Sequence, residues 1–174
     1  MSETQQQRLS RAEAYAEAAH GEQKYGVWPY RYHLQRVADI AREFSVEDAD
    51  VHVAAWLHDC VEDTGETRES IAAAFGERVA ELVWAVTDAP GDSRAERHRA
   101  THPKINQTPG AVTLKLCDRL ANTRQCLTVE TERNTRKLAM YRAEYPGFRA
   151  ALHHSPTGAT ARLWDALDAL CAAP

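Results

Sequence analysis

The feature that most constrains the fold is an apolar period of three and four residues that recurs along most of the chain. Residues with this spacing share one face of an α-helix. In one stretch it joins His33 to Val37, Ile40 and Phe44, and no alternating β pattern extends beyond a few residues. The sequence therefore predicts an all-α fold.

Capping residues and breakers divide the chain into about eight to ten predicted helices. Asp48 can cap one helix, and Pro146 is expected to break or kink another. Residues 21–30 are predicted to be a loop. The remaining helices are expected at about 8–20, 32–44, 67–75, 77–87, 94–102, 110–127, 130–145 and 157–172.

A chain of 174 residues has the length of one ordinary domain. We expect a single domain over 1–174, with a core at about 8–154 and a C-terminal helix at about 157–172. The absence of repeats and of low-complexity tracts is consistent with this organisation.

The charge balance and the cysteines limit the possible partners and compartments. The chain has 21 Lys and Arg against 25 Asp and Glu, a formal charge of −4. This balance favours neither nucleic acid nor an anionic membrane as a partner. No run approaches the roughly 18 apolar residues of a membrane span, and the N-terminus lacks a signal-peptide core. The four cysteines form no C-x-x-C pair, so we expect a reduced, cytoplasmic protein.

The segment WLHDCVEDT, residues 56–64, places four ionisable side chains beside an apolar run. His58 lies on the apolar face of its helix, and Asp59 follows it directly. A buried histidine beside a polar helix end would explain the pair, and so would two metal ligands at a helix terminus. Glu62 and Asp63 fit loop solvation, or a pair that orients a water and shuttles a proton.

Residues elsewhere in the chain could complete a metal site. His33 points inward, on the apolar face of its own helix. Asp118 shares a helix face with Lys115 and Asn122, since the three are spaced by three and four residues; a solvated face explains this equally well. Together His33, His58, Asp59 and Asp118 form a set suited to Mn²⁺, Fe²⁺, Co²⁺ or Zn²⁺.

Several segments, in order and spacing, carry a resemblance to a known family. They are PYRYH at 29–33, AAWLHDCVEDT at 54–64, LVWAVTD at 82–88 and LKLCDRLANTR at 114–124. This combination resembles the HD–ED signature of HD-domain phosphohydrolases, specifically the hydrolase domain of the RelA/SpoT family and the small alarmone hydrolases. The similarity covers about residues 14–150.

The resemblance implies an all-α hydrolase that removes the 3′-pyrophosphate from guanosine tetra- or pentaphosphate. It implies that Glu62 and Asp63 form the catalytic pair and that Asn122 contacts the ribose. It also implies a metal ion, usually Mn²⁺, with these ligands: His33, His58, Asp59 and Asp118.

The loop at 23–28 departs from the family pattern, because it is shorter and lacks the usual Arg-Lys pair. Lys24 can hold phosphate there, and Tyr25 or Trp28 could stack on a base. Arg97, in a basic segment, and Lys115 are further predicted pyrophosphate contacts.

The altered loop leaves other functions open. The substrate could be an adenosine alarmone, the 2′-phosphate of NADPH or a nucleoside monophosphate. A nucleotide-binding regulator without turnover is the alternative from another class. In each case the expected partner is a small nucleotide, with neither nucleic acid nor a membrane involved.

Overall fold

The computed structural model describes residues 3–171, and these residues are almost entirely helical. The predicted all-α class is confirmed. Ten helices lie in this part of the chain: α1 (Gln5–His20), α2 (Arg31–Glu43), α3 (Ala49–Leu57), α4 (Cys60–Asp63), α5 (Arg68–Phe75), α6 (Glu77–Val86), α7 (Arg94–Gln107), α8 (Ala111–Thr128), α9 (Glu132–Leu152) and α10 (Gly158–Cys171). The predicted end of the last helix, at about Ala172, lies outside the described residues.

Helix α8 runs through the centre of the molecule. It packs against α2, α3, α6, α7, α9 and α10. Leu114, Leu116 and Leu120 are fully buried, and Thr123 beyond them is also buried. The polar side chains of Lys115, Asp118 and Asn122 on α8 face a cavity between the helices.

Two helix starts show how local sequence sets the boundaries. The Asp48 carboxylate accepts hydrogen bonds from the backbone N–H groups of Asp50 and Val51, which confirms it as the cap of α3. Helix α1 begins at Gln5, earlier than expected, because Thr4 and Gln7 form a capping box.

Two prolines lie inside helices, and of the break or kink expected at Pro146 the break does not occur. Helix α9 continues past Pro146 to Leu152, and α7 continues past Pro103 to Gln107. Each proline removes one backbone donor. In both helices buried apolar side chains beyond the proline, Ile105 in α7 and Phe148 in α9, hold the chain against the core.

The segment predicted as a loop at 21–30 contains a short antiparallel hairpin. Strand β1 (Lys24–Tyr25) pairs with β2 (Trp28–Pro29). Gly26, with φ of 65°, lies in the turn between them, a conformation that favours glycine. The hairpin brings side chains of this segment over the N-terminal end of α2.

A break in the helix lies directly after α3, and it positions His58 and Asp59. Helix α3 ends at Leu57, and α4 begins at Cys60. Within residues 3–171 no helix is both long and apolar enough to cross a membrane. All four cysteines are buried and free of disulfides.

Candidate metal centre and active site

A cavity of about 680 Å³ opens between the hairpin, the α3–α4 junction, α7, α8 and α9. Five acidic side chains line it: Asp59, Glu62, Asp63, Asp88 and Asp118. Six cationic side chains line it as well: Lys24, Arg94, Lys115, Arg119, Arg133 and Lys137. The cavity can therefore hold a cation and an anionic ligand side by side.

Two imidazoles and two carboxylates converge on the cavity wall. The Nε2 atoms of His33 and His58 are 3.2 Å apart. Asp59 Oδ2 lies 3.4 Å from the first of these nitrogens and 3.2 Å from the second. Asp118 Oδ1 lies 3.3 Å and 3.8 Å from them. The structure thus brings together the four residues predicted as ligands from three separate segments.

The tautomer of His58 leaves its inward nitrogen free to bind a cation. Its Nδ1 lies 3.0 Å from the carbonyl oxygen of Ala55, so Nδ1 carries the hydrogen and donates it there. In the neutral ring Nε2 then keeps its lone pair. A histidine that ligates a metal is commonly held in this way by a backbone carbonyl.

The separations between His33, His58 and Asp118 are close to those of ligands on one ion. Ligand atoms at 2.0–2.2 Å from one metal are roughly 2.8–3.6 Å apart in octahedral or tetrahedral geometry. His33, His58 and Asp118 offer atoms that all lie within 4.8 Å of one another. Asp59 lies close to both imidazoles but is not one of that trio.

The two imidazoles and the two carboxylates of the cluster each favour the charged form of the other. Burial opposes ionisation of all four groups, but their mutual attraction outweighs it. The pKa values of His33 and His58 are therefore raised, through hydrogen bonds and charge from Asp59 and Asp118. The pKa values of Asp59 and Asp118 are held well below their usual range, by the imidazoles and, for Asp118, also by Lys115. Both carboxylates are available as anionic ligands.

Glu62 and Asp63 lie on the same wall, in α4. The Oε2 atom of Glu62 accepts the backbone N–H of Asp88 at 2.9 Å. The carboxylate is open to solvent on the cavity side, but the protein atoms behind it bury it in part, and this burial raises the pKa of Glu62. The hydrogen bond from the Asp88 N–H opposes the rise, and the charge of Asp59 adds to it. A carboxyl group with a raised pKa is suited to proton transfer near neutral pH.

Tyr30 joins the predicted ligands to the predicted catalytic pair. Its hydroxyl lies 2.7 Å from Asp59 Oδ2 and 2.6 Å from Asp63 Oδ2. One hydroxyl hydrogen can be donated to only one of these carboxylates at a time. The ring of His20 stacks on Tyr30 with centroids 4.2 Å apart, which fixes the position of the hydroxyl.

The predicted substrate contacts occupy different places. Lys24, Lys115 and Asn122 line the cavity, and the Nζ atom of Lys115 lies 3.4 Å from Asp118 Oδ2. Arg97 is not brought to the cavity wall; its Nε lies 3.5 Å from the carboxylate of Asp88. Its neighbour Arg94 lines the cavity instead.

Comparison with protein families identifies this arrangement. A family model described as "HD domain" matches residues 12–142, a range that contains all four converging residues. The chain belongs to the HD-domain family.

Curated HD-domain relatives carry related names. A guanosine-3′,5′-bis(diphosphate) 3′-pyrophosphohydrolase from Aquifex aeolicus is 38% identical over 136 residues, which are 75% of this chain and 19% of that protein. The human guanosine-3′,5′-bis(diphosphate) 3′-pyrophosphohydrolase MESH1 is 40% identical over 98 residues, 55% of each chain. The chain thus spans about half of the shorter relative and less than a fifth of the longer one.

A solved structure supports the fold of this HD-domain protein over most of its length. It is described as a metazoan ortholog of SpoT that hydrolyzes ppGpp and plays a role in starvation responses. The TM-score is 0.74 with 26% sequence identity, and the alignment covers 93% of this chain and 94% of the other.

The family implies a divalent metal ion, and the residues of this HD-domain chain fit one. The fit rests on the chemistry of the donor set: Nδ1 of His58 donates to the Ala55 carbonyl, so Nε2 is the nitrogen that faces the cluster, and the carboxylates of Asp59 and Asp118 are kept ionised. A bound cation would take the place of the proton that the same carboxylates favour on Nε2. These donors converge from α2, the α3–α4 junction and α8.

Three further residues of this site were not anticipated from the sequence. Tyr30 precedes His33 by three residues, so helical spacing could have indicated it. Asp88 ends the quoted segment LVWAVTD but has no local pattern that indicates a role. Lys137 lies on α9, and only the packing of α9 over α8 brings it to the cavity.

Proposed function

We propose that this protein hydrolyses guanosine tetra- or pentaphosphate at the 3′ position, with a divalent ion as cofactor, most suitably Mn²⁺. The observation that supports this most directly is the convergence of two imidazoles and two carboxylates beside the carboxyl groups of Glu62 and Asp63. The names of the relatives point to the same reaction.

The reaction adds the oxygen of water to the phosphorus bonded to the 3′ oxygen. The bond between that phosphorus and the 3′ oxygen breaks, pyrophosphate leaves, and the 3′ oxygen takes up a proton. A divalent ion held by His33, His58, Asp59 and Asp118 would supply a water of lowered pKa and charge neutralisation.

Two carboxylates would divide the proton transfers. Glu62 would accept the proton of the attacking water, since its carboxylate faces the cavity and its pKa is raised. Asp63 would return a proton to the leaving oxygen or exchange it with solvent. The Tyr30 hydroxyl, within hydrogen-bonding distance of Asp59 and Asp63, would hold the two carboxylates at a fixed separation.

Cations that line the same cavity would balance the phosphate charge. Lys24 lies on the hairpin, Lys115 on α8 and Arg94 on α7. Burial alone would lower the pKa of Lys115, but the charges of Asp118, Asp88 and Glu62 raise it, so Lys115 stays protonated. Arg97 pairs with Asp88 and would have to turn toward the cavity to reach the substrate. Its contact with phosphate stays a prediction.

The cavity suits a small nucleotide in size and in charge. A volume of about 680 Å³ lies within the 300–1,000 Å³ range of small-molecule sites, and both acidic and basic side chains line it. We infer that the chain acts as one domain over 1–174. The proposed substrate is a free nucleotide, and the proposed compartment is the cytoplasm.

A second candidate differs only in the base or in the phosphate that is removed. Tyr25 stacks on His33 with centroids 4.8 Å apart, and the Trp28 indole is 47% exposed at the cavity mouth. Aromatic rings stack on any base, so these contacts do not select guanine. Adenosine alarmones, the 2′-phosphate of NADPH and nucleoside monophosphates are therefore the competing substrates.

A substrate panel separates these candidates. Purified protein is assayed with Mn²⁺ against ppGpp, ppApp, NADPH and GMP, and pyrophosphate and orthophosphate are measured separately. We expect pyrophosphate from ppGpp and no orthophosphate from NADPH or GMP. Release of orthophosphate alone, or no turnover of any nucleotide, would contradict the proposed reaction. Asp118→Ala serves as the control for contaminating phosphatase.

A further inference from the structure

Asn122 lies one helical turn after Asp118 on α8 and makes four hydrogen bonds within the protein. Its Nδ2 donates to Oδ1 of Asp118 at 2.6 Å and to the Asp118 carbonyl oxygen at 3.2 Å. Its Oδ1 accepts from the Tyr25 hydroxyl at 2.8 Å and from Nζ of Lys137 at 3.0 Å. Two N–H groups and two lone pairs are the whole capacity of a carboxamide, so none is left over.

The chemistry of the partners fixes the orientation of this amide. The ammonium of Lys137 can only donate, and the ionised carboxylate of Asp118 can only accept. A flipped amide would place Nδ2 against the ammonium and Oδ1 against the carboxylate. Lys137 and Asp118 therefore fix the N–H groups of Asn122 toward Asp118, and in this orientation the Tyr25 hydroxyl donates to the amide oxygen.

The oxygen that Asn122 contacts is the one that faces the imidazoles. Asp118 Oδ1 lies 3.3 Å from Nε2 of His33 and accepts the Asn122 N–H. The other oxygen, Oδ2, lies 3.4 Å from the ammonium of Lys115. One partner on each oxygen sets the plane of the carboxylate, and Asn122 sets which lone pair of Oδ1 remains for a cation.

We propose that Asn122 is a positioning residue for the metal ligand Asp118, and that Tyr25 and Lys137 lock its amide in the required orientation. This assignment connects the hairpin and α9 to the metal centre through one side chain. It rests on the proposed function in one respect, the presence of the divalent ion. The identity of the nucleotide does not enter it.

The assignment differs in its consequences from a direct ribose contact. A ribose hydroxyl could bind Asn122 only if it displaced Tyr25, Lys137 or Asp118, since all positions of the amide are occupied. Loss of a ribose contact raises KM and leaves metal affinity unchanged. Loss of a positioning residue weakens metal binding and lowers kcat, with a smaller change in KM.

Two variants and a matched control test the assignment. Asn122→Leu removes the donor to Asp118, and Tyr25→Phe removes only one hydroxyl while the ring that stacks on His33 remains. The control is Tyr32→Phe, which removes a hydroxyl that also bonds a side-chain amide of α8, Oε1 of Gln125 at 3.2 Å. That amide has no bond to a predicted metal ligand.

Mn²⁺ affinity is measured by calorimetry on chelator-stripped protein, and kcat and KM are measured with ppGpp at saturating Mn²⁺. Asn122→Leu is expected to weaken Mn²⁺ binding and lower kcat by about 10- to 100-fold, the usual effect of removing an outer-shell partner. Its KM should change by less than about threefold. Tyr25→Phe should weaken Mn²⁺ binding by about fivefold, the effect of one neutral hydrogen bond, and Tyr32→Phe should not.

Two results overturn different claims. Unchanged Mn²⁺ affinity in Asn122→Leu and Tyr25→Phe, with a raised KM, would overturn the positioning role while the metal centre stands. Wild-type protein that binds no Mn²⁺ would overturn the proposed function itself. If Asn122→Leu does not fold, as judged by its thermal unfolding, Tyr25→Phe against Tyr32→Phe still decides the question.

Discussion

Replacing Glu62 by glutamine tests the assignment of the general base with little structural disturbance. The Oε2 atom of Glu62 accepts the backbone N–H of Asp88 at 2.9 Å, and the amide oxygen of glutamine can accept the same bond. The segment around Asp88 should therefore stay in place. The substitution removes a negative charge and a proton acceptor, with almost no change in volume.

The expected loss of activity follows from the role of the carboxylate. A positioned general base contributes about 10²- to 10⁴-fold, so kcat should fall by at least roughly 100-fold, or about 2.7 kcal/mol in the barrier. Mn²⁺ affinity should stay close to that of the wild type. In the wild type the acid limb of kcat/KM reports ionisation of Glu62, and in the variant this limb should disappear.

The stability of Glu62→Gln should not fall with its activity. The pKa of Glu62 is raised in the folded, metal-free protein, chiefly by burial, so the ionised form is less favourable there than in the unfolded chain. Glu62 therefore costs no stability below its unfolded pKa of about 4.3, and the cost grows as the pH rises through the folded pKa. Glu62→Gln should be at least as stable as the wild type at pH 7 by urea unfolding. A variant with wild-type kcat and an unchanged acid limb would refute the reasoning.

Three further predictions concern residues around the cavity. Nζ of Lys104 donates to the carbonyl oxygens of Trp84 and Thr87, at the C-terminal end of α6, at 3.1 and 2.8 Å. Lys104→Met should therefore lower the free energy of unfolding, measured in urea, by about 1–2 kcal/mol and leave kcat unchanged. Loss of activity at full stability would contradict this. Arg94→Met should raise KM for ppGpp by about tenfold, more than Arg97→Met, because only Arg94 lines the cavity; equal or reversed effects in steady-state kinetics would contradict it. Burial, with the charge of Arg94, lowers the pKa of His98 from 6.5 to about 4. The neutral imidazole is therefore favoured in the folded protein, and the stability of the fold that depends on it is present above pH 6.5 and is lost as the pH falls toward 4. His98→Gln should therefore lose less free energy of unfolding than the wild type across that window in pH-dependent urea titrations.

The fold class and most helices could be predicted because local patterns carry them. Apolar residues at spacings of three and four, the cap at Asp48 and the glycines at helix ends act within one or two turns. The errors arose where tertiary burial overrides a local rule. The proline at position 146 would break an isolated helix, but the burial of Phe148 beyond it holds the segment helical.

In the candidate site, too, residues in local motifs could be predicted and residues brought in by tertiary packing could not. The four residues proposed as ligands could be selected from the sequence because they lie in short motifs whose order and spacing carry the resemblance. The supporting residues come from separate segments. Lys137 reaches Asn122 only because α9 packs on α8, and Asp88 reaches Glu62 through its backbone N–H, which no side-chain pattern records.

The central claim is that one divalent ion is bound by residues from three segments. The most direct test is a crystal structure of the protein grown with Mn²⁺, with anomalous scattering measured at the manganese edge. The account predicts a single strong peak about 2.0–2.3 Å from a nitrogen or oxygen of each of these residues: His33, His58, Asp59 and Asp118. A peak elsewhere, or no peak at a Mn²⁺ concentration that saturates activity, would contradict it.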